Sequence, residues 1–177
     1  MFFIRPTQIL DAGVLPAIER SAGQLFLSTP ELSWIADGHT HTEQQHLDYI
    51  SQQNSWIALN DDNQPVGFIL VKPLDDGLHI MELSVHRDWQ KKGIGKALID
   101  TVMQVAEQRG FQAVTLTTFR HINWNAPFYQ RLGFSILEPR QITGALCQIL
   151  QREIEYGFAE NQRCAMKRLV VTTDCHD

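Results

Sequence analysis

The stretch Gln90-Lys91-Lys92-Gly93-Ile94-Gly95-Lys96 combines bare backbone with three ammonium groups. Glycine is costly inside regular structure, so two glycines in three residues mark a place where something must approach the main chain. A strand-like run, "LHIMELSV", precedes the stretch, and a helix-like run follows it. The first turn of a helix has unpaired N–H groups and a partial positive charge, so this arrangement suits an anion such as a phosphate. A turn carrying solvated lysines fits the same residues, and the bare pattern leaves both readings open. Two specific phosphate motifs fail on residue identity. A dinucleotide fingerprint requires glycine where Leu98 stands. A Walker A loop requires glycine at Gln90 and Ser or Thr at Ala97.

Other chemistry-bearing residues are fewer. His39, His41 and His46 cluster around "HTHTEQQH". No carboxylate or cysteine stands at a metal-ligand spacing from them, so no metal is expected and the three are read as solvated side chains of a polar segment that borders a site. Cys147, Cys164 and Cys175 are odd in number and widely spaced, which excludes a disulfide framework and a paired-cysteine zinc site. Cys164, in "RCAMKRLV", reads as a small core residue.

The elements that must carry these residues follow from periodicity. "FFIR" is a short strand closed by Pro6. Residues 7–21 have helical spacing of Ile9, Leu10, Val14, Leu15 and Ile18, with Pro16 splitting or kinking the run. Residues 26–42 read as a loop or broken helix. Thr42 and Gln45 form a capping box opening a helix to about residue 52. "SWIALN" and "VGFILVKPL" form a hairpin across "NDDNQP", and 78–85 make a third strand. Residues 93–109 give the strongest helix, with Ile94, Leu98, Val102 and Val105 on one face and Gly110 as its stop. A strand at 111–119, a short helix ended by Gly133, the strand "FSILEP", a helix over 142–157 and the strand "RCAMKRLVV" complete the order β-α-α-β-β-β-α-β-α-β-α-β. This is a mixed α/β pattern.

The chain has 177 residues, 44% of them hydrophobic, enough for one domain with a substantial core. Its net charge of −5 gives no electrostatic basis for a nucleic-acid partner, so any anion site must be local. Arg5, Asp11, Glu19 and Arg20 interrupt the N-terminal region, so no signal-peptide core is expected there. No run reaches membrane-spanning length. A cytoplasmic protein without membrane association is the expectation.

Gln90-x-x-Gly93-x-Gly95 resembles the [QR]-x-x-G-x-[GA] signature of the GNAT superfamily of N-acetyltransferases. "ELSVHRDWQKKGIGKALID" resembles that family's strand, loop and helix around acetyl-CoA, and "NAPFYQRLGF" its later helix-to-strand segment with the Tyr-x-x-x-Gly-Phe pattern. Arg87 stands where the family usually has proline. The resemblance implies the acyl-CoA N-acyltransferase (GNAT) fold: an α/β domain spanning 1–177, with a mixed central sheet, helices on both faces and a helix-strand extension over 139–177. It implies acetyl-CoA as cosubstrate, held at its pyrophosphate by backbone N–H groups of Lys91, Lys92, Gly93, Ile94, Gly95 and Lys96 with Gln90. The pantetheine arm is expected to pair with Leu83 and Val85, where the third strand parts from "AVTLTTF". Asn123 or Asn125 opens the later helix, and Asn125 is assigned to the cofactor. Tyr129 is the expected donor to the departing thiolate. Glu82 is the expected base, against the plainer reading of an exposed or ion-paired strand residue. The implied reaction is acetyl transfer to a primary amine, either small or peptidic. The alternatives are a different acyl group, or an acyl-CoA-binding module without catalysis. The resemblance also allows a homodimer.

Overall fold

The structure, a computed structural model, describes residues 1–171. In chain order the elements are β1 (Phe2–Pro6), α1 (Leu15–Gly23), α2 (Glu43–Ser51), β2 (Ser55–Asn60), β3 (Pro65–Leu74), β4 (Gly77–Val85), α3 (Ile94–Gln108), β5 (Ala113–Phe119), α4 (Ala126–Arg131), β6 (Ser135–Ile136), α5 (Gly144–Tyr156) and β7 (Arg163–Leu169). This is the order expected from periodicity. Hydrogen-bonded neighbours run β1-β2-β3-β4-β5-β7-β6. The mixed sheet and its helices are those of an α/β protein. Among the described residues, no helix is long and apolar enough to cross a membrane.

The chain forms two compact units, Met1–Val71 with Met81–Val102, and Lys72–Ile80 with the residues from Met103 on. In the first unit, β1 pairs antiparallel with β2 and β2 with β3, the latter register shifting between Ala58 and Leu59. Pro16 sits in the first turn of α1, where its missing N–H costs nothing, and the residues before it form a 3-10 helix, Ile9–Val14. The run is therefore split just before the proline, as its presence led one to expect. Arg5 holds that 3-10 segment by two bonds to the Asp11 carboxylate, at 2.7 and 3.0 Å. The broken region resolves into two 3-10 helices, Gln24–Ser28 and Pro30–Asp37. Thr42 caps α2 reciprocally: its hydroxyl accepts from the Gln45 N–H at 3.1 Å, and the Gln45 side chain accepts from the Thr42 N–H at 2.8 Å.

Leu15, Ile18, Ile57, Leu59, Phe68 and Leu70 make the core of this unit, with Tyr49 and Met81 against it. Gly67 on β3 is required by close approach. A Cβ there would lie 3.1 Å from the Ser84 carbonyl and 3.2 Å from Ile94 Cγ2. The absence of a side chain lets the start of α3 settle onto β3 beside the end of β4. Within α3, Ile94, Leu98, Ile99 and Val102 are buried, as the helical periodicity requires.

In the second unit, the first residues of β4 pair in parallel with β5, Gly77 with Ala113, Leu78 with Val114 and His79 with Thr115. Among the described residues this ladder stops at His79–Thr115. β5 continues antiparallel to β7 from Ala113 to Phe119, and β7 also pairs with the two-residue β6. Leu137, Leu146 and Ala165 form a small core with Leu74, Ile142 and Leu150. Arg163 on β7 meets the Glu153 carboxylate of α5 at 2.7 Å and lies over the rings of Phe119 and Phe158, at 4.5 and 4.8 Å. This pairs a largely desolvated charge and fixes the end of α5. Cys164 is buried as a small core residue and Cys147 is exposed, while Cys175 lies outside the described residues.

Two histidines are enclosed. His79 bonds the Thr115 hydroxyl at 2.8 Å. His46 on α2 is fully buried, its ring edge-to-face with Phe68 at 4.9 Å, and neither ring nitrogen has a partner among the described residues. This corrects the expectation of a solvated side chain at His46: the turn that opens at Thr42 carries it onto the core. Burial, then the charge of His41, holds His46 down at about 4, with Glu19 acting the other way. Burial and then Lys72 hold His79 down at about 4. An unfolded imidazole takes its proton near 6.5, so between about 6.5 and about 4 the unfolded chain binds more protons and stability falls as pH falls. The loss is up to roughly 3 kcal/mol per ring at the lower end. Urea unfolding at a series of pH values from 7 to 4 should show this slope, and His46→Leu should make it shallower whatever the variant's stability at pH 7.

Candidate active site

The turn between β4 and α3 is built residue by residue. The His86 side chain accepts from the Asp88 N–H at 3.2 Å and starts a short 3-10 turn, Arg87–Trp89. Arg87, at the position where proline is usual, uses the N–H that proline lacks. It donates to the Ser21 hydroxyl at 3.1 Å, while its guanidinium reaches the Gln24 side chain at 2.6 Å. Gln90 turns back and donates to the Val85 carbonyl at 3.0 Å. Its side chain therefore braces the loop onto the end of β4.

Two residues of this loop adopt left-handed backbone, Lys91 at φ 60° and Gly93 at φ 85°. Glycine takes that conformation freely, whereas lysine does so at a cost, and such outliers concentrate at ligand clamps. The helical ladder opens with the Ala97 N–H donating to the Gly93 carbonyl at 3.0 Å, so the N–H groups of Ile94 to Lys96 stand in the open first turn of α3. Alternating left-handed turns at a helix start form a concave set of N–H groups that fits an anion. The lysine side chains are partly committed elsewhere. Lys96 pairs with Asp100 at 2.6 Å along α3, and the Lys92 ammonium stands 5.4 Å over the Trp89 ring. The N–H groups of this turn could hold a diphosphate. Leu83 and Val85 lie on β4 beyond the point where its ladder with β5 ends, and the Val85 carbonyl already accepts from Gln90.

Glu82 on the same strand has neighbours that sequence spacing did not reveal. Glu19, one residue past the buried Ile18 of α1, accepts the His41 backbone N–H at 2.8 Å and lies 3.1 Å from the His41 ring Nδ1. The Ser84 hydroxyl donates to Glu82 at 3.0 Å. Donor atoms of Glu19, His41 and Glu82 all lie within 4.8 Å of one another, near enough to share a proton or to hold a divalent cation. Burial, then Glu19, pushes the Glu82 carboxyl up to about 7, against the opposing pull of His41 and Ser84. Burial pushes the His41 ring down, but its bond to Glu19 and the charges of Glu19 and Glu82 outweigh that and raise it. The expectation that His41 is solvated is thus also corrected. The capping box at Thr42 located the turn, but nothing local pointed to Glu19.

In the second unit, Asn125 precedes α4. It accepts from the Thr118 hydroxyl at 2.6 Å, and its carbonyl accepts the Tyr129 N–H at 3.1 Å. Asn123 is exposed, so Asn125 is the one built into the β5–α4 corner. Tyr129 is half-buried, edge-on to Phe128 and Phe134 with ring centroids 5.2 and 5.9 Å away. Its carbonyl receives the N–H groups of Leu132 and Phe134, which close α4 around Gly133 at φ 91°.

A Cβ at Gly93 would meet nothing within 4 Å, so the cost of Gly93→Ala is purely conformational, roughly 1–2 kcal/mol. Thermal unfolding should show a lower Tm for Gly93→Ala and a smaller decrease for Gly93→Asn, which tolerates left-handed backbone better.

Residues 24–134 match the model of the acetyltransferase (GNAT) family. A probable N-acetyltransferase, camello, of Xenopus laevis is 38% identical over 91 residues, 49% of this chain and 41% of that protein. N-acetyltransferase family 8 member 3 of Mus musculus is 32% identical over 104 residues, 54% of this chain and 46% of that protein. The matches thus span less than half the length of these relatives. Among solved structures, the PaiA N-acetyltransferase of Thermoplasma acidophilum in complex with coenzyme A aligns with a TM-score of 0.68 at 20% identity, over 96% of this chain and 99% of that one. The ribosomal-protein-S18-alanine N-acetyltransferase of Escherichia coli aligns at 0.67 and 16% identity, over 100% and 99%. These last two likenesses carry the fold. The match to the family model, which covers more than half of the chain, establishes that this chain belongs to the GNAT family of acetyltransferases.

Proposed function

We propose that this chain transfers an acetyl group from acetyl-CoA to a primary amine by direct attack. The observation that carries the reading is the Lys91–Gly93 backbone at the start of α3, in a chain of this family. Acetyl-CoA supplies a thioester whose carbonyl an amine can attack. The amides from Lys91 to Lys96, with Gln90 bracing the loop, bind the diphosphate. Leu83 and Val85 offer main-chain groups to the pantetheine arm, and Asn125 holds the start of α4 for a further contact. A backbone N–H at Ser84 or Val85 polarises the carbonyl as negative charge grows on it.

An alkylamine with a pKa near 10.4 is neutral in only about one molecule in 2,500 at pH 7, so deprotonation is a real barrier. Glu82, whose carboxyl is pushed up to about 7, matches the proton affinity a base needs near neutral pH. It takes one proton from the acceptor ammonium and leaves the lone pair on nitrogen. Tyr129 donates to the departing thiolate. The names of the relatives, all N-acetyltransferases, support an amine as acceptor. Holding amine and thioester together supplies much of the remaining acceleration.

Purified protein with acetyl-CoA and a panel of primary amines should release free thiol. Tyr129→Phe should keep coenzyme A affinity in calorimetry and lower turnover by roughly 10²-fold or more. Gly93→Pro should abolish coenzyme A binding. Full turnover in Tyr129→Phe would remove that residue from the mechanism. Coenzyme A binding with no acceptor found, and no effect of Tyr129→Phe, would favour a binding module.

A further inference from the structure

Resting on that reading of Glu82, we propose that Glu19 and His41 are positioning residues for it: the Glu19–His41 pair fixes the orientation and protonation of the Glu82 carboxylate, so that it receives the acceptor's proton at neutral pH.

The geometry comes first. His41 is held by Glu19 at two points, its backbone N–H at 2.8 Å and its ring Nδ1 at 3.1 Å, so the ring has little freedom to rotate. A carboxylate partner places the proton on Nδ1, in the neutral ring as in the charged one. Glu82 lies with both within 4.8 Å, and the Ser84 hydroxyl orients one of its oxygens. The side chains of Glu19 and His41 are only 12% and 22% exposed, so little water screens them. Two carboxylates this close cannot both be ionised without a cation between them, and a shared proton on His41 supplies it. When Glu82 then accepts a proton from an ammonium, one N–H bond breaks, one O–H bond forms, and the repulsion with Glu19 is relieved. That relief makes the transfer more favourable than it would be for an isolated surface carboxylate.

The surroundings add no second charge. His46 and Tyr49 of α2 approach His41, with ring centroids at 5.9 and 6.1 Å, and His46 is buried and held neutral, as above. The Tyr49 hydroxyl is raised by burial and by the Glu82 charge, so it too stays neutral near pH 7. Glu19 from α1, His41 from the segment before α2, and His46 and Tyr49 from α2 are the titratable groups coupled to Glu82 or seated against His41. Of these, His46 and Tyr49 stay neutral near pH 7. Two carboxylates against one imidazole also favour an acceptor that arrives as an ammonium.

The test needs no acceptor. The Glu82 side-chain carboxyl is followed by 13C NMR and the His41 ring by 15N NMR, in chelator-treated protein, with Glu82→Gln assigning the carboxyl signal. His41→Gln should raise the Glu82 midpoint by roughly one pH unit. Glu19→Gln should lower the His41 midpoint by roughly one unit, and Glu19→Asp should restore part of it. Amide spectra confirm that each variant is folded. Unmoved midpoints in folded His41→Gln and Glu19→Gln proteins would overturn the proposal. So would tight zinc binding abolished by each of the three substitutions, which would make the cluster an ion site. With an amine that is acetylated, the acid limb of kcat/KM should move up in His41→Gln along with the Glu82 midpoint. A limb that stays while the midpoint moves would refute the positioning role. A limb unaffected by Glu82→Gln would instead refute Glu82 as base.

Discussion

The turn into α3 depends on peptide N–H groups at an open helix start. A helix start always has several, and most chains cap them with a side chain or expose them to water. Here the chain turns through left-handed backbone at Lys91 and Gly93 before α3, the backbone pattern from which concave sets of N–H donors are built. The cost of placing lysine in that conformation is met by surrounding bonds: Gln90 to the Val85 carbonyl, Arg87 to Ser21 and Gln24, and Gly67 admitting the start of α3 against β3. Backbone dipoles fixed in place would suit an anion even in a protein of net charge −5.

The second constraint is electrostatic. Glu82 and Glu19 approach each other in a setting with little water, an arrangement that costs energy unless a positive partner or a proton intervenes. His41 supplies that partner. His46, enclosed against Phe68, adjoins the His41 ring. A carboxyl raised to about 7 is therefore a product of three elements, α1, the turn before α2, and β4, with no one of them sufficient. The turn before α3 and the Glu19–His41–Glu82 cluster obey opposite rules: the first gathers main-chain donors, and the second crowds acceptors.

Much of the secondary structure was legible because its signals are local. Pro16 marked the break before α1, the Thr42–Gln45 box marked the start of α2, and Gly110 and Gly133 ended their helices in left-handed conformation. Periodicity placed the buried face of α3. The less regular parts were harder. The 3-10 helices of residues 24–37 have no clean period, and "FSILEP" shortens to a two-residue β6 because it borrows its pairing from β7, a strand distant in sequence. That β7 inserts between β5 and β6 is a matter of pairing, and a strand's own residues do not specify its neighbour.

The sequence by itself determined the order of elements, the glycine-bearing turn and the family likeness, since each is written within a few consecutive residues. It singled out Glu82 and Tyr129 only as types at suggestive places. The tertiary structure decided that His46 is enclosed, that Gln90 faces back to β4, and that His41 is bonded to a carboxylate 22 residues away along the chain. The reason is physical. Hydrogen bonding and backbone preference act between near neighbours, whereas burial and charge coupling act through space and exist only once distant segments have been packed together.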